Sequence, residues 1–187
     1  MRSATRFINV QLIADQLAAN GYFVVMPDLF HGDPAPLNPP EDWDLMAWLK
    51  GPLGHLLERV EPVVKAVFGE MKSALGCERV GAIGHCFGAG GADAAYLAHP
   101  SFVEADELAA IKGSLSIAAA ENDSIFPAPK RHESEEILAQ TGQPYQINLF
   151  SGVEHGFAVR ADLSKPIIRF AKEASFTQAV AWFNQHL

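Results

Sequence analysis

The sequence predicts an α/β fold with a mostly parallel sheet flanked by helices. Segments of helical periodicity alternate along the 187 residues with short apolar runs rich in strand-forming residues. Most of these runs lack polar alternation, which is typical of strands buried on both faces. The hydrophobic fraction of 49% and the charged fraction of 19% are those of a globular protein. At about 100 to 200 residues per domain, the length predicts a single domain, residues 1–187.

The first part of the chain reads as a helix, a strand and two further helices. Apolar residues at helical spacing stop at Asn20-Gly21, a pair typical of a helix C-cap. The run YFVVMP that follows is apolar throughout, and four prolines within residues 34–40 stiffen the loop after it. Gly76 ends a long amphipathic pattern. The predicted elements are helices over residues 7–18, 42–50 and 53–75 and a strand over residues 22–27.

Three further apolar runs, RVGAIG, GSLSIAAA and YQINLF, predict buried strands in the second part. After the first of them, GHCFGAGGADAAYLAHP predicts a sharp turn directly into an alanine-rich helix that ends at Pro100. The remaining predicted elements are strands over residues 79–84, 113–120 and 145–150 and helices over about 130–140 and 171–186.

Charge, hydropathy and cysteine content exclude several classes of function and location. Fourteen Lys and Arg against twenty-two Asp and Glu give a net charge of −8 with no basic run, which argues against nucleic acid as a partner. No run approaches the roughly 18 apolar residues of a membrane span, and MRSATRFINVQ lacks the apolar core of a signal peptide. We therefore expect a cytoplasmic protein that does not bind membranes. Two cysteines, Cys77 and Cys86, are too few for a disulfide framework.

A GxCxG motif surrounds Cys86 between a predicted strand and a predicted helix. Glycines two residues before and two after fit a nucleophile elbow, whose central residue has a strained backbone. The start of the expected helix would favour the thiolate, and the backbone N–H of Phe87 would serve as an oxyanion donor. The alternative is a buried cysteine that acts as a small apolar side chain.

A thiol nucleophile needs a base and a carboxylate that orients the base. His155 and Asp123 each follow a predicted strand, where ligands bind in open α/β sheets. The chain order of nucleophile, acid and histidine is that of the α/β-hydrolases. Glu121 is a rival for the acid, and a turn aspartate bonded to its own backbone is the alternative for Asp123. The other histidines are placed less well: His31 in the proline-rich loop, His55, His99 and His132 on or near helices, His186 at the terminus and His85 beside the thiol.

The segments GYFVVMPDLFHGD, GHCFGAGG, AAAENDSIFP and VEHGFAVR resemble the fungal-type branch of the dienelactone hydrolase family, from about residue 7 to the C-terminus. The resemblance implies a three-layer α/β-hydrolase fold and a Cys-His-Asp triad formed by Cys86, His155 and Asp123. It implies hydrolysis of a small carboxylic ester, enol lactone or thioester without a metal or organic cofactor. It also suggests Arg160 as the arginine that binds a substrate carboxylate, although Arg160 lies one residue further from the histidine than in the bacterial enzymes.

The resemblance also implies a strand before Phe7 that the sequence does not contain. We therefore expect an N-terminally incomplete sheet without the loop that supplies the second oxyanion donor. A truncated or non-catalytic family member with a pocket and a reactive cysteine is the alternative function. A redox sensor is a third, but a six-residue strand of about 20 Å separates Cys77 from Cys86. The sequence specifies neither the natural substrate nor the oligomeric state.

Overall fold

The helices of the first part of the chain lie where the sequence predicts them. The computed structural model describes residues 8–36, 40–52, 54–85 and 91–187, and the chain divides into two compact units, Met1–Cys77 and Glu78–Leu187. The first unit contains helices α1 (Ile8–Ala19), α2 (Leu45–Lys50) and α3 (Leu57–Ser73). Gly21, with a φ of 94°, follows α1, and Gly76, with a φ of 67°, follows α3, as expected of glycines that end helices.

Residues 22–28 have no regular secondary structure, so the predicted strand over residues 22–27 is wrong. Phe23 is 67% exposed and Val25 is 39% exposed, whereas a strand buried on both faces would hide both side chains. A strand needs a neighbour that accepts its hydrogen bonds. The described residues of the first unit include no other strand that could pair with it.

The second unit is built on a parallel sheet. Its strands are β1 (Gly81–His85), β2 (Ala94–Ala98), β3 (Ser114–Asn122) and β4 (Tyr145–Glu154), in the spatial order β1-β2-β3-β4. Its helices are α4 (Ala105–Ala109), α5 (Ala128–Thr141) and α6 (Pro166–His186). The predicted strands over residues 79–84, 113–120 and 145–150 and the last two predicted helices are therefore confirmed. Helix α4, with five residues, is too short to produce a periodic pattern and was not predicted.

Helices cover both faces of this sheet, which explains why its strands lack polar alternation. On one face, Leu115 and Ile117 of β3 belong to an apolar cluster that includes residues of α4 and α5. On the other face, the Tyr96 hydroxyl donates to the Ser175 carbonyl of α6 at 2.8 Å. The members of the apolar cluster are Ala95, Val103, Leu108, Leu115, Ile117, Ala119, Phe126 and Leu138. The arrangement confirms the predicted three-layer α/β fold.

The alanine-rich helix predicted between Cys86 and Pro100 is wrong, because residues 94–98 form β2 between β1 and β3. Ala94 and Ala98 are fully buried there. Alanine favours helices, but its small side chain also fits a central strand with neighbours on both sides. The eight residues 86–93 join β1 to β2, whereas parallel neighbours are ordinarily joined by a dozen or more residues that include a helix. Residues 94–98 therefore belong to the sheet and not to the helix expected to favour the Cys86 thiolate.

Candidate active site

A titratable side chain lies at the carboxyl end of each of these four strands. His85 is the last residue of β1, and His99, Asp123 and His155 directly follow β2, β3 and β4. The carboxyl ends of parallel strands share one edge of the sheet, which is where open α/β sheets bind ligands. This edge is therefore the candidate active site.

The Asp123 carboxylate has two sets of hydrogen bonds. Its Oδ1 accepts from the backbone N–H groups of Ile125 and Phe126, at 2.8 and 3.0 Å. Its Oδ2 accepts from Nδ1 of His155 at 2.8 Å, and the side chain is fully buried. Asp123 is thus a turn aspartate and a partner of His155 at the same time. The rival acid, Glu121, is exposed and accepts from the backbone N–H of Gly152 at 2.7 Å.

The contact with Asp123 sets the tautomer of His155. A carboxylate only accepts hydrogen bonds, so Nδ1 carries the proton and Nε2 of the neutral ring carries the lone pair. The side chain of His155 is 14% exposed. Its ring packs edge-on against the ring of His99, with 5.0 Å between centroids. The Oγ of Ser101 lies 3.4 Å from Nε2.

Ser101 was missed by the sequence analysis. It lies in a tight segment after β2, between His99 with a φ of 39° and Phe102 with a φ of 55°. Residues other than glycine rarely adopt positive φ angles, and those that do are often found in active sites. The rule that found Asp123 and His155 would also have found Ser101, but the segment before it was predicted to be a helix. For the same reason His99 was wrongly placed near a helix.

Two other histidines at this edge, His99 and His85, are neutral at physiological pH. Burial, followed by the nearby His85 and His155, lowers the pKa of His99 from 6.5 to about 3. Burial, followed by the charge of Lys172, lowers the pKa of His85 to about 4. Neither ring therefore brings a positive charge next to the His155–Asp123 pair at neutral pH.

Arg160 lies at the rim of the same edge. It is exposed, and its backbone N–H donates to the Gly156 carbonyl at 2.8 Å. Its guanidinium folds over Gly156, where a Cβ would come within 3.1 Å of Nε and Nη2. Gly156 has a φ of 92°, so a side chain there would also strain the backbone. The turn after His155 thus requires glycine, and the Arg160 side chain lies over this glycine, the residue that follows His155.

The remaining predicted site residues, Cys86 and Phe87, lie outside the described residues. Cys77 belongs to the first unit, where its backbone N–H donates to the Met71 carbonyl at 2.9 Å. In the described part of the chain, no group of three or more His, Cys, Asp or Glu side chains is arranged to hold a metal ion. Within the same residues, no helix is long and apolar enough to cross a membrane.

Comparisons with known proteins agree with this architecture. The model of the dienelactone hydrolase family matches residues 4–187. Hydrolase pyvD of Aspergillus violaceofuscus is 54% identical over 189 residues, which cover 96% of this chain and 76% of that protein. Dienlactone hydrolase 1 of Gibberella moniliformis is 32% identical, with 95% and 73% covered.

A solved structure supports the fold independently. The putative dienelactone hydrolase from Klebsiella pneumoniae superposes with a TM-score of 0.74 at 17% identity, over 95% of this chain and 81% of that chain. At this identity the likeness shows the fold alone. The family match and the similar fungal proteins identify the predicted resemblance as a true relationship. The chain belongs to the dienelactone hydrolase family and is an ester or lactone hydrolase.

Proposed function

We propose that this protein hydrolyses a small carboxylic ester, enol lactone or thioester with Cys86 as the nucleophile, His155 as the base and Asp123 as the acid that orients the base. The observation that carries the proposal is the 2.8 Å hydrogen bond between Nδ1 of His155 and the buried Oδ2 of Asp123. This bond leaves Nε2 as the basic nitrogen, as nucleophilic catalysis requires. Cys86 directly follows β1, as Asp123 and His155 follow β3 and β4.

The reaction proceeds in two stages. Nε2 of His155 accepts the thiol proton as Sγ of Cys86 bonds to the carbonyl carbon, and the C=O electron pair moves onto oxygen. The intermediate collapses, the bond to the leaving oxygen or sulfur breaks, and that atom takes the proton from Nε2. A water then gives a proton to Nε2 while its oxygen attacks the carbonyl carbon of the thioester. The bond between this carbon and Sγ of Cys86 breaks, and Sγ takes the proton back from Nε2. The product is a carboxylic acid and the enzyme is unchanged.

Two further residues complete the proposal. The backbone N–H of Phe87 donates to the oxyanion, because it follows the nucleophile. Arg160 binds a carboxylate on the substrate, since its planar guanidinium can hold one with two hydrogen bonds and it folds over the turn directly after His155. Small esters or lactones that carry a carboxylate are therefore the proposed substrate class.

Hydrolysis of 4-nitrophenyl acetate and of an enol lactone tests the proposal. We expect the wild-type protein to hydrolyse both, and Cys86→Ala to reduce the rate to that of the buffer because the nucleophile is gone. Cys77→Ala is the matched control and is expected to keep the wild-type rate. Full activity of Cys86→Ala, or equal losses in the two variants, would refute the role of Cys86.

A further inference from the structure

The Ser101 hydroxyl faces the basic nitrogen of His155. Its Oγ lies 3.4 Å from Nε2, on the side of the ring opposite the 2.8 Å bond to Asp123. Because Nδ1 carries the proton, Nε2 accepts and the hydroxyl donates. The separation is at the long end of the hydrogen-bond range, as is common for catalytic contacts before a substrate binds. The imidazole is thus held at both nitrogens.

The backbone around Ser101 is fixed independently of this contact. The N–H of His99 donates to the Ala118 carbonyl of β3 at 2.8 Å, and the side chains of His99 and Pro100 are buried. Val103, on the other side, belongs to the apolar cluster. The two positive φ angles at His99 and Phe102 are therefore held in place from both ends. Ser101 itself remains half-buried, so replacing its side chain leaves these anchors untouched.

We propose that Ser101 is a positioning residue for His155 in the proposed esterase reaction, and this inference rests on that proposed function. A serine hydroxyl both donates and accepts hydrogen bonds. It donates to Nε2 of the resting, neutral ring and releases the single lone pair of that nitrogen when the Cys86 proton arrives, and it accepts from Nε2–H once the ring has taken that proton. The second bond is charge-assisted and therefore stronger than the first. Ser101 thus holds the ring plane before the proton arrives and after it has been taken up.

A set of variants distinguishes the effect of the Ser101 hydroxyl group from the effect of side-chain volume. Ser101→Ala and Ser101→Val remove the hydroxyl, whereas Ser101→Thr keeps it and has the size of valine. We expect kcat for 4-nitrophenyl acetate to fall about 10- to 100-fold in the first two, as for a mispositioned catalytic group. KM is expected to stay near the wild-type value, and Ser101→Thr to recover most of kcat. Ser164→Ala, which removes the exposed hydroxyl bonded to Asp162, is the matched control and is expected to behave as wild type.

An NMR measurement gives a readout that does not depend on activity. In protein labelled with ¹⁵N-histidine, His155→Gln identifies the His155 signals among those of the seven histidines. With the ring neutral, we expect the Nε2 resonance to move towards that of an unbonded nitrogen in Ser101→Ala but not in Ser164→Ala. This result without esterase activity in the wild type would leave the contact established and refute the proposed function.

Three results would overturn the inference itself. One is wild-type kcat in both Ser101→Ala and Ser101→Val. Another is a loss of kcat in Ser101→Thr as large as in Ser101→Val, because the hydroxyl would then not be responsible. The third is an acyl group found on Ser101 by peptide mass spectrometry, which would make Ser101 the nucleophile.

Discussion

Asp123 joins the turn after β3 to the catalytic chemistry proposed for His155. Its two carboxylate oxygens have different partners: Oδ1 accepts hydrogen bonds from the backbone of the turn, and Oδ2 accepts one from the imidazole. The sequence offered a turn aspartate as the alternative to a partner of the histidine, and the Asp123 side chain makes both kinds of hydrogen bond. Because the turn bonds hold the carboxylate in place, its position does not depend on the histidine.

Exchanging Asp123 for its amide separates these two contributions. In Asp123→Asn the amide oxygen can still accept from the turn, but the NH₂ group then faces Nδ1–H and favours the wrong tautomer of His155. We expect kcat to fall by about 10²- to 10⁴-fold with little change in the melting temperature. The control is Glu121→Gln, which alters the rival acid and is expected to keep kcat. Normal turnover in Asp123→Asn together with a loss in Glu121→Gln would reverse the assignment of the acid.

At the scale of elements, the sequence patterns predicted strands and helices well where local pattern and pairing agree. The run GSLSIAAA is apolar, lies between two other strands and forms β3, which is buried over Ser114–Ala120. The run over residues 22–27 is equally apolar but has no strand to pair with in the described part of its unit. Hydrogen-bond pairing is a tertiary property, so a local pattern predicts it only indirectly.

The prediction of a helix over residues 94–98 was wrong for the opposite reason. The alanines of this segment favour a helix locally, but β1 and β3 bind it as a strand. This one error hid His99 and Ser101 from the sequence analysis, because residues after a strand, and not those in a helix, line the ligand edge. Asp123 and His155 were found because the ends of β3 and β4 were predicted within a few residues.

For the whole molecule, the buried histidine at the sheet edge makes stability depend on pH. The pKa of His99 is about 3 in the folded protein and 6.5 when exposed, so between these values the unfolded chain binds the additional proton. The free energy of unfolding therefore falls as the pH drops below 6.5, by about 1.4 kcal/mol per pH unit from this group. Well above pH 6.5, where His99 is neutral in both states, it contributes no pH dependence.

Urea unfolding at pH 7 and pH 5 measures this effect. We expect wild type to lose about 2 kcal/mol more between the two pH values than His99→Asn does. Asparagine does not titrate and tolerates the positive φ at this position. An equal loss of unfolding free energy in both proteins would contradict the burial of a neutral His99.

The same curves test the prediction of a single domain, for which we expect one cooperative transition.

The most direct test of the account is the reactivity of the Cys86 thiol. Residues 94–98 of the helix predicted to stabilise its thiolate form β2, and the proposal assigns the activation of the thiol to His155. Iodoacetamide alkylation, followed by peptide mass spectrometry, compares Cys86 with Cys77 within the same folded protein. We predict that Cys86 reacts faster than Cys77 in the wild type and that His155→Ala removes the difference. Equal rates in the wild type, or an excess rate at Cys86 that survives His155→Ala, would contradict the proposed thiol–imidazole pair.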